Sequence, residues 1–288
     1  MSKNIVIENR LGEKIEIGPQ PPYVLVSFDP SGSQADIVQT QGYMQDGVST
    51  GAVTMKAMQY PIEFYMESTG LQGIYQLRKN MNRILNPKLG PFTFTVTLPH
   101  GTFQNQIMIE SLPRYRLEDE NLLTIQQGMF HIFTPDPYWK GEKDIEVPLL
   151  AWEPKFVFPF SYPPDVIFGV KGEKKQVVNN GDVEAPCIIE IYGPCTNPVV
   201  KNETIQESIK VKRELKPGQK LVINTAYGKK TVEIILENGT KQNAYNWIAT
   251  GSTLFKLSRG LNILNYESDA GKDSATVVIR FRERFVGL

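Results

Sequence analysis

The stretch GMFHIFTPDPYWKG, residues 128–141, divides this chain into two parts. Its first half alternates around Phe130 and Ile132 as a strand does, but Pro135 and Pro137 then remove two backbone donors. Each proline also biases the residue before it toward an extended conformation, so the segment cannot continue as a central strand. We therefore predict an N-terminal domain at residues 1–141 and a C-terminal domain at residues 142–288.

Two bulky aromatic residues, Tyr138 and Trp139, follow the prolines directly. Aromatic side chains bury large areas, so one interpretation is a hydrophobic lid under the last strand of the first domain. A second interpretation is that Pro135, Pro137, Tyr138 and Trp139 form a domain hinge, which fixes the direction in which the chain leaves this domain. The sequence alone leaves both interpretations open.

The residues before the boundary predict a β-rich domain with one helix. Apolar and polar residues alternate at 3–7, 13–17 and 92–98, which is the period of half-buried strands. One amphipathic helix is predicted at about residues 71–86, and Asn86 with Pro87 ends it. The apolar residues that recur there at steps of three and four are Leu71, Ile74, Leu77, Met81, Ile84 and Leu85.

The sequence also predicts the structure of three other segments of the N-terminal half. Residues 30–51 have no sustained period and are predicted to form a long surface loop. Residues 52–67 form a predicted strand in which Pro61 requires an edge position or a bulge. An antiparallel meander with a turn at residues 120–121 follows, and a β-bulge at Gly128 is expected to re-aim its last strand.

The residues after the boundary predict an all-β domain. Turn pairs PG, YG, NG, RG and AG separate short strands at intervals of about ten residues, which is typical of a β-sandwich. Residues 144–169, rich in proline and aromatic residues, are predicted to be a connector that lies against a domain or a neighbouring subunit. No helix is predicted after residue 90.

Charge and hydropathy exclude several classes of protein. The 31 basic and 31 acidic side chains cancel, and neither half is strongly charged, which argues against a basic nucleic-acid platform. Near-zero net charge is compatible with assembly. No apolar run is long enough for a membrane helix, and the start MSKNIVIENR lacks the apolar region of a signal peptide. We expect a protein that is made and folded in a cytosol and has no membrane partner.

Residues that could support catalysis are scarce. Cys187 and Cys195 are predicted to be free, buried thiols, with a hairpin disulfide as the alternative. His100 and His131 are the only histidines, and neither a glycine-rich phosphate loop nor a glycine-flanked nucleophilic serine occurs. We therefore predict no catalytic residues, no metal, no cofactor and no enzymatic activity. The acidic residues at 118–120 leave a glycosidase pair open, although acidic residues on a turn are usually solvated.

One aromatic pair is a candidate for binding. Tyr245 and Trp247 lie in a loop-like stretch, where exposed rings could stack on a sugar. The alternative is that Trp247 closes an open end of the sandwich core.

The order of these features along the chain resembles the distal tail protein (Dit) family of siphophages and prophages of Gram-positive bacteria. The segments that carry the resemblance span the chain. They are RILNPKLGPF (83–92), FTPDPYWKG (133–141), NNGDVEAPCIIEIYGP (179–194), LKPGQKLVINTAYGKKTV (215–232), STLFKLSRGLNIL (252–264) and VIRFRERFVGL (278–288).

The resemblance implies a mainly β fold, with an N-terminal ring-forming β domain that carries one amphipathic helix, and a C-terminal galectin-like β-sandwich. It implies a structural baseplate hub protein of the virion tail tip, assembled in the cytoplasm of the host bacterium. Such a protein forms a hexameric ring that joins the tail tube to the tail-associated hub or lysin protein and leaves a channel for DNA in transit. Receptor-binding proteins are further partners in some members, and the family carries no catalytic residues over to this chain.

Two more expectations follow. Residues 30–51 are our candidate for the loop that reaches a neighbouring copy in the ring. The alternative function is a host cell-surface carbohydrate-binding protein that uses Tyr245 and Trp247 of the C-terminal sandwich.

Overall fold

The computed structural model describes residues 3–116, 124–149, 152–154, 169–171, 174–271 and 274–288. The chain separates into two compact units, Met1–Glu142 with Phe285–Leu288, and Lys143–Arg284. Each unit has a hydrophobic core of its own. The sequence-based division at residue 141 assigned the whole C-terminus to the second domain, whereas contacts place the last four residues in the first unit.

The first unit is built from eleven strands among its described residues. Seven of them form a sheet in the order β2-β1-β7-β8-β10-β6-β3, while β9 pairs with β10 and β11 pairs with β8. Gly18 bonds to the backbone of Tyr23 and Leu25, which links the end of β2 to β3 and curves the sheet around the core. The strands are β1 (Asn4–Glu8), β2 (Lys14–Ile17), β3 (Tyr23–Ser27), β4 (Ala35–Thr40), β5 (Ser49–Met55), β6 (Met58–Glu67), β7 (Phe92–Leu98), β8 (Gly101–Ile109), β9 (Arg114–Tyr115), β10 (Ile125–Thr134) and β11 (Trp139–Gly141).

The segments in which apolar and polar residues alternate form strands, as the sequence predicted. The opening hairpin pairs β1 with β2, and β7 pairs with both β1 and β8. In β7 the buried positions are Phe92, Phe94, Val96 and Leu98, while threonines occupy the other face. Alternation decides the fold here because one face of each strand must be withdrawn from water.

The predicted helix is present as α1 (Leu71–Ile84), which ends two residues earlier than expected. Ile74, Met81 and Ile84 are its buried residues, so the three-and-four spacing marks the face that packs on the first core. After the helix, the Asn86 side chain accepts a hydrogen bond from the Lys88 backbone at 3.1 Å and caps a short 3-10 turn at Pro87–Leu89.

Two predictions about β6 and β10 have different outcomes. The bulge predicted at Gly128 is wrong, because β10 pairs with β6 without interruption along all ten residues. A side chain at Gly128 would place its Cβ 2.6 Å from the Phe64 ring, so the ring explains the glycine. Pro61 does occupy a local edge, since β3 pairs with β6 only from Glu63 onward and no other described strand pairs with Pro61 on that side. The turn predicted at residues 120–121 lies outside the described residues.

The loop predicted at residues 30–51 is wrong, because β4 and β5 form an antiparallel hairpin there. We call Ala35–Met55 the arm. Its two strands form a sheet of their own, and the register shifts between Ile37 and Gln39. The sequence gives no period because the shift breaks the alternation and neither face is buried.

The second unit is a β-sandwich, as predicted. A six-stranded sheet, β12-β25-β16-β21-β22-β23, and a four-stranded sheet, β15-β24-β18-β19, enclose the second core. The strands are β12 (Ile145–Pro148), β13 (Trp152–Pro154), β14 (Gly169–Lys171), β15 (Lys174–Asn179), β16 (Cys187–Tyr192), β17 (Cys195–Thr196), β18 (Val199–Asn202), β19 (Glu207–Lys210), β20 (Glu214–Leu215), β21 (Lys220–Asn224), β22 (Thr231–Ile235), β23 (Lys241–Asn243), β24 (Gly260–Glu267), β25 (Thr276–Phe281) and, at the return to the first unit, β26 (Arg284–Phe285).

Among the described residues after 90, the only helical element is a 3-10 turn at Tyr245–Trp247. Of the proline-rich connector, β12 joins the edge of the six-stranded sheet and β13 pairs with β14. Residues 150–151 and 155–168, which hold the rest of that prediction, lie outside the described residues.

Candidate assembly site

The predicted hinge residues form a tight turn between β10 and β11 in the first unit. The Asp136 carboxylate accepts a hydrogen bond from the Tyr138 backbone N–H at 3.2 Å and forms an ion pair with the Lys140 ammonium at 2.8 Å. The backbone oxygen of Asp136 accepts a hydrogen bond from the buried Asn105 amide at 2.8 Å. Pro135 is exposed, whereas Pro137 and Tyr138 are half-buried. Side-chain hydrogen bonds therefore satisfy the backbone that the prolines interrupt.

Trp139 is 1% exposed and lies in an aromatic cluster of the first core. Its ring centroid is 6.3 Å from Phe28, 6.1 Å from Tyr60 and 5.8 Å from Phe94, with tilted or edge-on geometry. Burial raises the pKa of Tyr60, against hydrogen bonds with Trp139 and Ser33 that lower it. The indole thus fixes the start of β11 three residues before the unit ends at Glu142.

The arm is the most exposed apolar element of the first unit. All six residues of β4 are exposed, and so are six of the seven in β5. Of the 18 exposed large hydrophobic residues in the described chain, the arm holds six. They are Ile37, Val38, Tyr43, Met44, Val48 and Val53. An isolated two-stranded hairpin is marginally stable in water, so an arm of this composition needs another surface to cover it.

The tip of the arm, residues 41–48, is held in one shape by Gln45. The Gln45 side-chain oxygen accepts a hydrogen bond from the Gly42 backbone at 2.9 Å, and its amide donates to the Ser49 hydroxyl at 3.2 Å. The Gln41 amide in turn donates to the Gln45 backbone oxygen at 3.1 Å. Tyr43 and Met44 stand outward from this loop with 95% and 89% exposure.

The root of the arm is fixed by the end of the chain. The Ser33 hydroxyl donates a hydrogen bond to the backbone oxygen of Val286. Next to Val286, the Phe285 ring packs edge-on against Phe103 at a centroid distance of 5.3 Å, and Leu288 packs on the same core. The last four residues therefore help to set the direction in which the arm leaves the first unit.

A groove of about 500 Å³ opens on the first unit where β3, β6, β9 and β10 meet. Val26, Phe64 and Met129 supply its apolar lining. Arg114 and Arg116 are exposed at its side, and in the described part of the chain neither guanidinium forms an ion pair. Glu63 is also exposed in the groove lining, so the two arginines and this glutamate leave a net charge of +1. The groove therefore combines an apolar floor with a net positive charge.

The predicted sugar-contact residues lie together on the 3-10 turn of the second unit. Tyr245 is 49% exposed, while Trp247 is half-buried and packs against the second core. The guanidinium of Arg213 lies over the Trp247 ring at 5.2 Å. Since one face of the indole is taken by Arg213, Tyr245 is the more available of the two rings.

A charged network crosses the outer face of the six-stranded sheet. The Glu190 side chain is only 6% exposed and lies 3.2 Å from the Lys220 ammonium and 3.1 Å from the Arg280 guanidinium. The Tyr192 hydroxyl donates to it at 2.7 Å. Burial alone would raise the pKa of Glu190, but these hydrogen bonds and positive charges together lower it. Every group in the network has a partner, so it reads as a structural feature of the sheet.

Among the described residues, no group of three or more His, Cys, Asp or Glu side chains could hold a metal ion. No described helix has the length and hydropathy needed to cross a membrane.

Cys187 and Cys195 are free and buried, as predicted, and burial raises the pKa of the Cys187 thiol to about 12. The acidic residues at 118–120 lie outside the described residues.

Residues 180–285 match the family described as the siphovirus-type tail component, C-terminal domain. No match was found among curated proteins.

Solved structures share the fold of the whole chain. The crystal structure of Dit (gp 19.1) of phage SPP1, titled a paradigm of hub adsorption apparatus in Gram-positive infecting phages, aligns with a TM-score of 0.65 at 10% identity and covers 98% of this chain and 99% of its own. A chain of the phage P2 baseplate in its activated conformation with calcium aligns at 0.54 with 12% identity and full coverage of both chains. The corresponding strontium structure gives 0.53 at 11% identity, covering 99% of each.

Proposed function

We propose that this protein is a structural part of a phage tail tip. Residues 180–285 match the siphovirus-type tail component domain, and the fold of SPP1 Dit extends along the chain. These two findings confirm the resemblance predicted from the sequence. In this proposal it forms a hexameric ring at the baseplate hub. The ring joins the tail tube to the tail-associated hub or lysin protein and leaves a channel through which DNA passes. Receptor-binding proteins are a further class of partner.

The observation that carries the proposal is the coverage of the match to SPP1 Dit, 98% of this chain and 99% of that one. At 10% identity the match concerns the fold, and the family match of residues 180–285 adds an independent sequence signal. Both β units and their order are therefore shared, which a chance likeness between single sandwiches would not give.

The surfaces of the first unit support self-association. A closed ring needs a heterologous contact, in which one surface of each copy meets a different surface of the next. The arm supplies one exposed apolar surface, and the groove beside Arg114 and Arg116 supplies a different one. We propose that the first unit forms the ring and that the second, galectin-like unit lies outside it.

The hinge belongs to the same proposal. Trp139 is anchored in the first core, and Pro135 and Pro137 end the preceding strand. We propose that Pro135, Pro137, Tyr138 and Trp139 fix the point from which the second unit is held.

Native mass spectrometry of the purified full chain tests this function. The expected result is a six-copy species, either alone or on addition of the tail-associated hub protein. A chain that remains monomeric with both the tail tube and hub proteins present would contradict the proposal.

Carbohydrate binding by the second unit is a second candidate, favoured by the 49% exposure of Tyr245 beside Trp247. Full-length protein retained on Gram-positive cell walls should lose retention in Tyr245→Ala. The matched control is Tyr227→Ala, which removes a 91% exposed tyrosine from another turn of the same unit. Equal retention of both variants, or no retention of the wild type, would exclude this candidate.

A further inference from the structure

We propose that the tip of the arm docks into the groove of a second copy of this chain. Tyr43 and Met44 would enter as apolar anchors, and Asp46 would face Arg114 and Arg116. The inference rests on the proposed function, since it names the two surfaces that close the ring. It commits to one occupant of the groove, which is residues 41–48 of the neighbouring copy.

The tip of the arm is an ordered loop with exposed side chains. In residues 41–48 Gln45 alone is partly buried, and its hydrogen bonds to Gly42 and Ser49 hold the loop. Met44 adopts a φ of 57°, which is unusual for a residue with a side chain. Such strained residues concentrate at functional sites, and a loop that is already ordered loses little freedom when it binds.

The side chains at the tip are of the type that anchors interfaces. Tyrosine is enriched among the residues that dominate binding energy, and methionine is enriched at interfaces generally. Their exposures of 95% and 89% leave nearly the whole of both side chains available for burial. Neither the arm nor the described residues around it cover them.

The groove suits the tip in size and in net charge. Its volume of about 500 Å³ is in the range of pockets that bury a compact ligand, and Val26 and Met129 are apolar contacts for the anchors. Asp46 is the only charged residue at positions 41–48, so the tip is negative. The groove is lined by Arg114, Arg116 and Glu63, so its net charge is positive, and in the described chain neither arginine has an ion-pair partner. Complementary charges of this kind fix the register of an interface.

A disulfide trap tests the contact directly. Met44→Cys and Met129→Cys are introduced into the same full-length chain, where the natural Cys187 and Cys195 are 1% and 2% exposed and do not compete. Oxidation should give a ladder of linked chains up to six on a non-reducing gel. Mass spectrometry should identify the peptide that links position 44 of one chain to position 129 of another.

The control pairs Met44→Cys with Thr97→Cys, an exposed position on β7 of the same unit. This pair should give no ladder beyond dimers. A ladder from the control as strong as that from the test pair, or a link between positions 44 and 129 within one chain, would overturn the docking.

A second measurement uses the strength of assembly. Tyr43→Ser with Met44→Ser should weaken self-association by about a hundredfold, the effect expected when two central anchors are lost. Asp46→Arg should also weaken it, and adding Arg116→Asp to that variant should restore part of the loss. The exposed Tyr227→Ser serves as the unaffected control.

The outcomes separate this inference from the proposed function. If native mass spectrometry shows six copies but the trap gives no ladder, or assembly is unchanged in the double serine variant, the docking is wrong and the ring remains. If the wild type stays monomeric with its tail partners, the ring and the docking are both wrong. A tip that crosslinks only to the tail tube protein would assign the arm to that partner and overturn the contact between copies.

Discussion

Replacing Trp139 with alanine removes the largest fully buried side chain among the described residues. Buried Trp to Ala changes cost about 3–5 kcal/mol through lost transfer energy and the cavity left behind. Trp139 also contacts Phe28, Tyr60 and Phe94, and aromatic pairs add about 0.5–1.5 kcal/mol beyond their buried area. We therefore expect a loss in the upper part of the range, about 4–5 kcal/mol, confined to the first unit.

Hydrogen-exchange mass spectrometry across a urea series measures this loss separately for each unit. Peptides from β6, β7, β8 and β10 should exchange at lower urea in Trp139→Ala, while those from the second unit stay unchanged. Trp139→Phe, which keeps a ring in the cluster, should lose only about 1–2 kcal/mol. An unaltered profile for Trp139→Ala would show that the indole does not hold the first core, and the hinge proposal would fail with it.

Three further changes probe other parts of the account. Gly128→Ala places a Cβ 2.6 Å from the Phe64 ring and should lower the free energy of unfolding of the first unit by about 1–3 kcal/mol in urea titrations. Adding Phe64→Leu should restore part of that stability, and an unchanged stability of Gly128→Ala would contradict the packing. Because the pKa of Glu190 is lowered when folded, its stabilising effect is present above the ordinary value of 4.5 and is lost as pH falls through the folded value. Glu190→Gln should thus cost about 1–3 kcal/mol at neutral pH and progressively less in acid, whereas a difference independent of pH would refute this. Deleting Phe285–Leu288 removes the Phe285 aromatic side chain that packs on Phe103 and should speed hydrogen exchange in the first unit alone. Faster exchange only in the second unit would show that these four residues do not belong to the first unit.

Where one face of an element is buried, the sequence predicted it well. The threonine face of β7 and the apolar stripe of α1 both follow from burial on one side, so periodicity was enough. The fold class, a β-rich domain with one helix followed by a sandwich, could be predicted for the same reason, and it is confirmed.

The failures have the opposite cause. The arm is exposed on both faces, so its strands have no burial period and the sequence predicts a loop there. At Gly128 the change in apolar pattern suggested a bulge, whereas the glycine is required by the Phe64 ring on the paired strand, a contact between distant residues. The terminal VIRFRERFVGL gave no sign that the chain changes unit within it.

Prediction of the candidate site was limited in the same way. Trp139 could be singled out by its place after two prolines, but its three aromatic neighbours come from three distant strands or loops. Residue type alone makes Trp247 a candidate, and the position of Arg213 over its ring has no signal in the sequence. The ordered tip depends on the hydrogen bonds of Gln45, and no pattern in the sequence indicates them.

We propose that the first unit closes into a ring and that the second is a separately cored sandwich. Electron microscopy of the purified full-length protein, alone or bound to the tail-associated hub protein, shows the ring or its absence. We expect class averages with sixfold symmetry around an open centre. Particles that hold one or two chains and show no rotational symmetry, with the hub protein present, would refute the ring.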